Sequence, residues 1–120
     1  MTDGTFNQCE GVLYDSGGNL GNYSSNEDFT LTICPDGGGT STVLEFISFV
    51  TQGGGADELT IYNGSTTADP IIGVYSGTQT IGTITASNTS GCLTLRFVTN
   101  GGVNLAGFEA NILCESPCQD

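Results

Sequence analysis

Apolar and polar residues alternate along most of the chain, and a period of two is the pattern of β-strands that bury one face. In the segment FTLTIC, Phe29, Leu31 and Ile33 share one face while two threonines share the other. Residues 93–97 (LTLRF) and 108–112 (FEANI) alternate in the same way. Because no long stretch repeats at about 3.6 residues, we expect an all-β chain.

Five further segments complete the set of predicted strands: VLYD, TSTVLEFISF, DELTIYN, IIGVYSG and TIGTITAS. Clusters of Gly, Asn, Asp and Ser separate them, as turns require. About eight such strands suit a two-sheet antiparallel β-sandwich or jelly roll. Alternation also places Glu45 and Arg96 on the solvent-facing sides of their strands, where we expect Arg96 to pair with a neighbouring acid.

Charge and composition exclude several classes of function. Thirteen acidic residues against Arg96 as the sole basic residue give a formal net charge of −12. This charge repels phosphate backbones and anionic lipid headgroups, so we do not expect nucleic-acid binding. Because the sequence has no apolar run of about 18 residues, we do not expect direct membrane insertion either. Because the chain has no His and no Lys, it lacks the residues for a Ser-His-Asp triad, a Schiff base, a P-loop or a His-ligated zinc. The chain is therefore not expected to be an enzyme.

The five cysteines indicate a disulfide framework, since they are scattered through a short Gly-, Thr-, Ser- and Asn-rich chain without paired C-x-x-C motifs. Disulfides imply an oxidising compartment, so the chain is expected to be secreted or on a cell surface. Counting alone permits more than one connectivity and leaves one cysteine over, for which Cys118 is the candidate.

The order of these landmarks resembles the CUB domain, in particular the CUB-like modules of bacterial secreted and surface proteins. The resemblance is carried by Cys9, by YDSGGNLGNYSSNEDFTLTIC ending at Cys34, and then by VLEFISF, DELTIYNG, SGCLTLRF and GFEANILC. It covers nearly the whole chain and implies a jelly-roll β-sandwich over residues 1–114. The polar residues 115–120 are predicted to begin a linker.

The same resemblance implies how the cysteines pair. It predicts one disulfide between Cys9 and Cys34 and a second between Cys92 and Cys114. Cys118 is then a free thiol or pairs with another chain.

The resemblance also implies a calcium site at one end of the sandwich. Asp57 matches the acidic residue that opens the strand DELTI, while Gln52 and Asn100 occupy positions that are acidic in many CUB domains. Tyr23 matches a tyrosine that supports this end. Because one carboxylate of the set remains, the site is expected to bind Ca²⁺ weakly, in about the millimolar range. The alternative is that these side chains only hydrogen-bond loop backbone, with Glu27 and Asp28 solvated.

Two classes of function follow from the resemblance. The first is a non-catalytic recognition or adhesion module that binds an extracellular protein or glycan, with end loops ordered by Ca²⁺. The alternative is a structural self-assembly module of a surface adhesin or filament, for which exposed sheet edges and Cys118 would be used.

Two further motifs have open interpretations. Tyr14, Tyr23, Tyr62 and Tyr75 can form a binding platform or pack at the margins of the core. The sequons at Asn22, Asn63 and Asn88 accept glycans only where a secretory pathway has that machinery, and otherwise arise by chance.

Overall fold

The computed structural model describes residues 4–14, 25–36, 41–53, 57–101, 105 and 107–115. Nine β-strands and no helix lie within these ranges, which confirms the all-β prediction. The strands are β1 (Gly4–Asn7), β2 (Val12–Tyr14), β3 (Asp28–Cys34), β4 (Ser41–Val50), β5 (Glu58–Tyr62), β6 (Ile71–Tyr75), β7 (Thr83–Thr85), β8 (Leu93–Val98) and β9 (Gly107–Glu115). Eight coincide with the alternating segments. Alternation missed β1, because its sequence, GTFN, has one large apolar residue.

The described strands form two sheets, which confirms the predicted sandwich. One sheet has five strands in the order β1-β3-β8-β5-β6, and the other has four in the order β2-β9-β4-β7. The strand pairs are antiparallel except for β1 with β3, which run parallel. β1 and β2 are thus edge strands on one side of the sandwich, and β6 and β7 are edge strands on the other.

The core lies between the inward faces of the two sheets, where alternation placed it. Leu93, Leu95 and Phe97 of β8 are fully buried, and so are the facing Phe49 and Phe108 of the other sheet. The ring centroid of Phe108 lies 5.2 Å from that of Phe97 and 6.2 Å from that of Phe49. Burying each such side chain stabilises the fold by about 1.5–3 kcal/mol, so this aromatic cluster holds the sheets together.

Part of the outer face of the five-stranded sheet is less exposed to solvent than alternation predicts. Thr32 and Thr94 lie on it, yet both are buried. Their hydroxyl oxygens share a hydrogen bond of 2.9 Å, and Thr94 donates to the backbone carbonyl of Gly64 at 3.0 Å. The connection between β5 and β6 therefore covers this part of the sheet and replaces water with a backbone acceptor. Alternation places Thr32 and Thr94 on the face opposite the core, where exposure to solvent is expected, and this expectation is wrong at both positions.

The disulfide pairing implied by the resemblance, Cys9–Cys34 and Cys92–Cys114, is also wrong. Cys34 is bonded to Cys92, with their Cα atoms 4.1 Å apart. The cause lies in strand register, because β3 and β8 are antiparallel and Ile33 faces Leu93. One step further along the pair brings Cys34 opposite Cys92.

The second disulfide is explained by the strand register of the four-stranded sheet. Cys9 is bonded to Cys114 across 4.9 Å between Cα atoms. β2 pairs antiparallel with β9, with Val12 opposite Asn111, and continuing that register by three residues places the two cysteines side by side. Both bridges thus close pairs of neighbouring strands, whereas the expected pairing joined cysteines close in sequence. Cys118 and residues 116–120 lie outside the described residues, and Glu115 lies in β9.

The two ends of the sandwich differ in what joins their loops. Both disulfides lie at one end, which we call the disulfide end and which also contains Asn63 and Asn88. The opposite end, which we call the Asp57 end, is formed by residues 25–27, 51–53, 57 and 99–101.

Candidate functional site

Asp57 is the central residue of the Asp57 end. Its side chain is fully buried, immediately before β5 begins. Its Oδ1 accepts a hydrogen bond from the backbone N–H of Asn100 at 2.9 Å. Because a carboxylate is costly to bury without hydrogen bonds, this contact compensates part of its desolvation. Through this hydrogen bond, Asp57 links the residue before β5 to the loop after β8.

Gln52 and Thr51 approach Asp57 from the loop after β4. The backbone N–H of Asp57 donates to the Gln52 carbonyl at 3.4 Å, and the Gln52 side-chain oxygen is buried. The Thr51 hydroxyl donates to the Asp57 carbonyl at 3.2 Å and accepts from the backbone N–H of Gly77 at 2.9 Å. Thr51 and Gln52 therefore hold the backbone of Asp57 in place.

The loop before β3 completes this end. The backbone N–H of Asn26 donates to the Asn100 carbonyl at 2.9 Å. Glu27 and Thr99 bond reciprocally: the Glu27 N–H donates to the Thr99 hydroxyl at 2.8 Å, and the Thr99 N–H donates to the Glu27 carbonyl at 2.9 Å. Asn26 has φ of +56°, in the left-handed region that asparagine tolerates better than most residues. These bonds hold Asn100 from both sides.

Sequence reasoning selected three of these residues and missed the rest. Asp57, Gln52 and Asn100 lie together, joined by the bonds described above. Thr51 and Thr99 were overlooked, although each lies two residues beyond a buried phenylalanine on the same face of its strand. That spacing of two was the available signal for them. Tyr23, the predicted supporting residue, lies outside the described residues.

The donor atoms of this end are of the type that a hard cation binds. Calcium takes about six to eight oxygen ligands from carboxylates, amides and backbone carbonyls. Asp57 and Gln52 present buried side-chain oxygens, and the backbone N–H of Asn100 donates to Asp57. Within the described ranges, however, no group of three or more His, Cys, Asp or Glu side chains is close enough to hold a metal ion. These oxygen atoms are of the type that Ca²⁺ binds. Because the set contains one carboxylate, it has little negative charge to hold the ion tightly.

Arg96 lies near the same end, on the outer face of the five-stranded sheet. Its Nε and Nη2 donate to Oδ1 and Oδ2 of Asp28 at 2.9 and 2.7 Å, which confirms the predicted ion pair. Hydrogen bonding and the positive charge of Arg96 lower the pKa of Asp28 below its usual range. Because the two side chains are 46% and 53% exposed, we expect a small contribution to stability. The single basic side chain is thus engaged by an acid.

The tyrosines do not share one surface among the described residues. Tyr75 packs against the core, with its ring centroid 6.3 Å from that of Phe49. Tyr62 alternates with buried Ile61 and so lies on the outer face of its sheet, whereas Tyr14 belongs to the other sheet. The structure therefore does not place Tyr14, Tyr62 and Tyr75 in one platform.

Two of the sequons form an amide network at the disulfide end. Asn88 donates to Asn63 Oδ1 at 2.6 Å and to the Cys92 carbonyl at 3.0 Å. Its own Oδ1 accepts from the backbone N–H groups of Ser90 and Gly91 at 3.0 Å each. Both asparagine side chains thus connect loops of this end. The third sequon, at Asn22, lies outside the described residues.

One apolar cavity opens between the edge strands β1 and β2. Its volume is about 180 Å³, and the lining residues are Phe6, Gln8, Val12, Leu13, Leu31, Ile33 and Ile112. Sites for small organic ligands measure roughly 300–1,000 Å³, so this cavity is small for such a ligand. Nothing helical in the described part of the chain has the length and hydrophobicity that a bilayer crossing requires.

Comparisons with known proteins agree with this architecture. The family model for the CUB domain matches residues 8–112. No curated protein matches the chain.

Among solved structures, the full extracellular region of zebrafish Gpr126/Adgrg6 matches with a TM-score of 0.77 and 14% identity over 95% of this chain. The CUB1-EGF-CUB2 fragment of human MASP-1/3 matches with a TM-score of 0.75 and 18% identity over 94% of it. The chain spans 15% of the zebrafish region and 42% of the human fragment. The MASP-1 CUB2 domain bound to Ca²⁺ matches over its entire length and 95% of this chain, with a TM-score of 0.74 and 17% identity.

Proposed function

The chain belongs to the CUB domain family, and from that premise we propose that it is a non-catalytic recognition module whose partner surface is formed by the loops of the Asp57 end. CUB domains are in general modules of protein interaction in extracellular proteins. The observation that carries the proposal is the buried Asp57 carboxylate, which joins two loops through Asn100. A rigid sandwich with ordered end loops presents side chains in fixed positions, as recognition requires.

Calcium is part of the proposal. Asp57 and Gln52 would hold the ion with side-chain oxygens, and Asn100 would contribute from the neighbouring loop. When bound, Ca²⁺ supplies positive charge that compensates the buried carboxylate and links the loops around it. A related domain, MASP-1 CUB2, has been crystallised with Ca²⁺, which supports this assignment. With one carboxylate in the set, we expect affinity in about the millimolar range of weak extracellular sites.

The charge of the chain indicates the chemistry of the partner. A net charge of −12 attracts positively charged surfaces and accelerates their encounter at low salt. We therefore propose an extracellular protein with a basic surface in preference to a glycan. The two disulfides agree with an oxidising, extracellular location.

A self-assembling structural module is the second candidate. The observation that favours it is β6, an edge strand with exposed aliphatic side chains that can pair with a neighbour. The same charge of −12 opposes it, because like-charged copies repel. Light scattering across a range of concentrations, with and without reductant, separates the two candidates: a constant monomer size supports recognition, and a size that rises with concentration supports assembly.

Thermal unfolding tests the calcium assignment. A ligand that binds only the folded state stabilises it by RT ln(1 + [L]/Kd), about 1.4 kcal/mol at ten times Kd. We expect Tm of the oxidised chain to rise by about 5 °C above a chelator baseline when Ca²⁺ reaches ten times Kd, and to rise further with the logarithm of the Ca²⁺ concentration. Asp57→Asn keeps the acceptor oxygen and loses the charge, so its Tm should be insensitive to Ca²⁺.

Glu10→Gln is the matched control, since it removes one exposed carboxylate near the disulfide end. Its response to Ca²⁺ should equal that of the parent. An equal rise in Asp57→Asn would show that the ion binds elsewhere, and a flat response in the parent would remove Ca²⁺ from the proposal.

A further inference from the structure

Strand β6 carries a concentration of exposed aliphatic side chains. Ile71, Ile72 and Val74 are 57%, 37% and 49% exposed, although β6 is five residues long. The other large exposed apolar residues of the described ranges are scattered over β1, β2, β4 and β9. Single exposed apolar residues are normal on protein surfaces, whereas a contiguous group indicates an interaction site.

β6 is also an open edge. It is the last strand of its sheet and pairs only with β5 among the described strands, so one row of its N–H and C=O groups faces outward. The neighbouring edge strand β7 is three residues long and turns Thr83 and Thr85 to solvent. β6 has no Lys, Pro or charged residue within it, which are among the usual means of blocking an edge, whereas a bulge, another such means, interrupts the strand at Ile72.

A bulge shapes this edge. Ile61 faces Gly73 and Tyr62 faces Ile71, so Ile72 is the extra residue on β6. The regular part of the strand is thus Gly73–Tyr75, and the bulge leaves two adjacent isoleucines exposed. An added strand would form backbone hydrogen bonds along Gly73–Tyr75. It would cover the exposed side chain of Val74 in that part and those of the two isoleucines at the bulge.

The net charge of the chain and the carboxylates near β6 indicate which kind of segment can pair with this edge. A second copy would bring together two chains of −12 each, which repel. Carboxylates flank β6 at both ends: Asp69 lies two residues before it, and Glu58 lies one register position beyond Tyr75 on β5. A segment with an apolar centre and basic ends therefore matches this edge in both polarity and charge.

We propose that β6 is a strand-addition site for an extended segment of a partner protein that alternates aliphatic and polar residues and has basic residues at its ends. Backbone hydrogen bonds to the open edge provide affinity, and alternate side chains provide specificity. Salt weakens the pairing at the two basic ends. The site lies on the side of the sheet and does not require Ca²⁺, so it is independent of the proposed role of the Asp57 end.

The probe is a synthetic peptide of alternating Val and Thr with two lysines at each end, titrated in chelator and followed by amide hydrogen exchange of the protein. We expect binding that slows exchange of β6 amides, and at least tenfold weaker binding when the lysines are replaced by glutamates. The double variant Ile72→Asp with Val74→Asp should lose at least tenfold in affinity. Leu113→Asp, a change at a similarly exposed leucine on the central strand β9, should bind like the parent.

The double variant separates strand addition from simple charge attraction, because its two added carboxylates would strengthen a purely electrostatic complex. Tighter binding of that variant would overturn the proposal, and so would protection outside β6. Loss of binding in chelator but not in Ca²⁺ would assign the peptide to the Asp57 end. A dimer that light scattering detects in the parent and not in the double variant would assign β6 to a second copy.

Discussion

The two ends of the sandwich stabilise their loops by different chemistry. At the disulfide end, two covalent bridges and the Asn63–Asn88 network join the connections between strands. At the Asp57 end, backbone hydrogen bonds and one buried carboxylate do so, and no disulfide lies among its described residues. The loops of one end are thus joined covalently, whereas those of the other are joined by hydrogen bonds that include one buried carboxylate.

This difference indicates where binding can alter the conformation of the molecule. A loop fixed by a disulfide has little conformational freedom left, so a ligand that binds there can order the loop little further. Loops held by hydrogen bonds around Asp57 have more such freedom, and under the proposed function a bound cation would restrict it. The aromatic cluster of Phe49, Phe97 and Phe108 packs beneath these loops and gives them a rigid base.

Removing the disulfides should produce the largest effect on stability. In the chain-entropy model, Cys34–Cys92, with a sequence separation of 58, contributes about 4 kcal/mol, and Cys9–Cys114, with a separation of 105, contributes about 5 kcal/mol. Replacing both members of a pair by Ser should lower the free energy of unfolding in urea by about these amounts. The Cys9–Cys114 variant is expected to be the less stable.

The connectivity itself can be checked by mass spectrometry of a non-reduced digest. Peptides linked through Cys34–Cys92 and Cys9–Cys114 are expected. A peptide linked through Cys9–Cys34 would contradict the pairing that strand register dictates. If both pairs are replaced and the chain still folds, the Ca²⁺ response should persist, because Asp57 lies at the other end.

Breaking the amide network at the disulfide end should have an intermediate effect. Asn88→Ala removes an acceptor for two backbone N–H groups and a donor to the Cys92 carbonyl, and Gly91 is buried. Leaving buried polar groups without hydrogen bonds costs about 1–3 kcal/mol, so we expect a loss of about 2 kcal/mol in urea unfolding. Thr89→Ala, at the exposed neighbouring position, should be neutral.

The same network predicts the effect of a glycan at two sequons. Because the amide groups of Asn63 and Asn88 bond to loop groups, a glycan attached to either side chain before folding should disrupt the network and lower the free energy of unfolding in urea. Mass spectrometry that finds a glycan on Asn88 in folded protein of unchanged stability would show that the network is dispensable.

Alternation predicted the strands because a strand's buried face depends on its own residues. It placed Arg96 outward and Leu95 and Phe97 inward, as observed. Pairing between strands could not be predicted in this way, since the period of two is the same in every register. The Cys9–Cys34 bridge was implied by the family resemblance, and the register of β3 with β8 gives a different pairing in this chain. Family resemblance supplied the position of Asp57, which alternation alone does not distinguish from other turn residues.

Contacts made by loops were the second feature that the sequence pattern could not predict. Thr94 is buried because a distant loop offers it the Gly64 carbonyl. The Thr99–Glu27 pair spans 72 residues of sequence, and the Asn63–Asn88 pair spans 25. Such contacts depend on how connections fold over the sheets, and local pattern carries no information about that.

The Asp28–Arg96 pair should produce the smallest effect, and its pH dependence has a defined sign. Arg96 holds the pKa of Asp28 below its usual range, chiefly through the hydrogen bonds, so the pair's contribution is present above about pH 4 and is lost as pH falls through the lowered pKa. Asp28→Asn should lower the free energy of unfolding by less than about 1 kcal/mol at neutral pH, since exposed pairs are weak. The difference from the parent should vanish in acid and shrink in about 1 M salt. Glu45→Gln, which keeps an acceptor for Asn111 at 3.1 Å, is the control and should show neither trend. A difference that survives acid and salt would show that Asp28 stabilises the fold by hydrogen bonding and not by its charge.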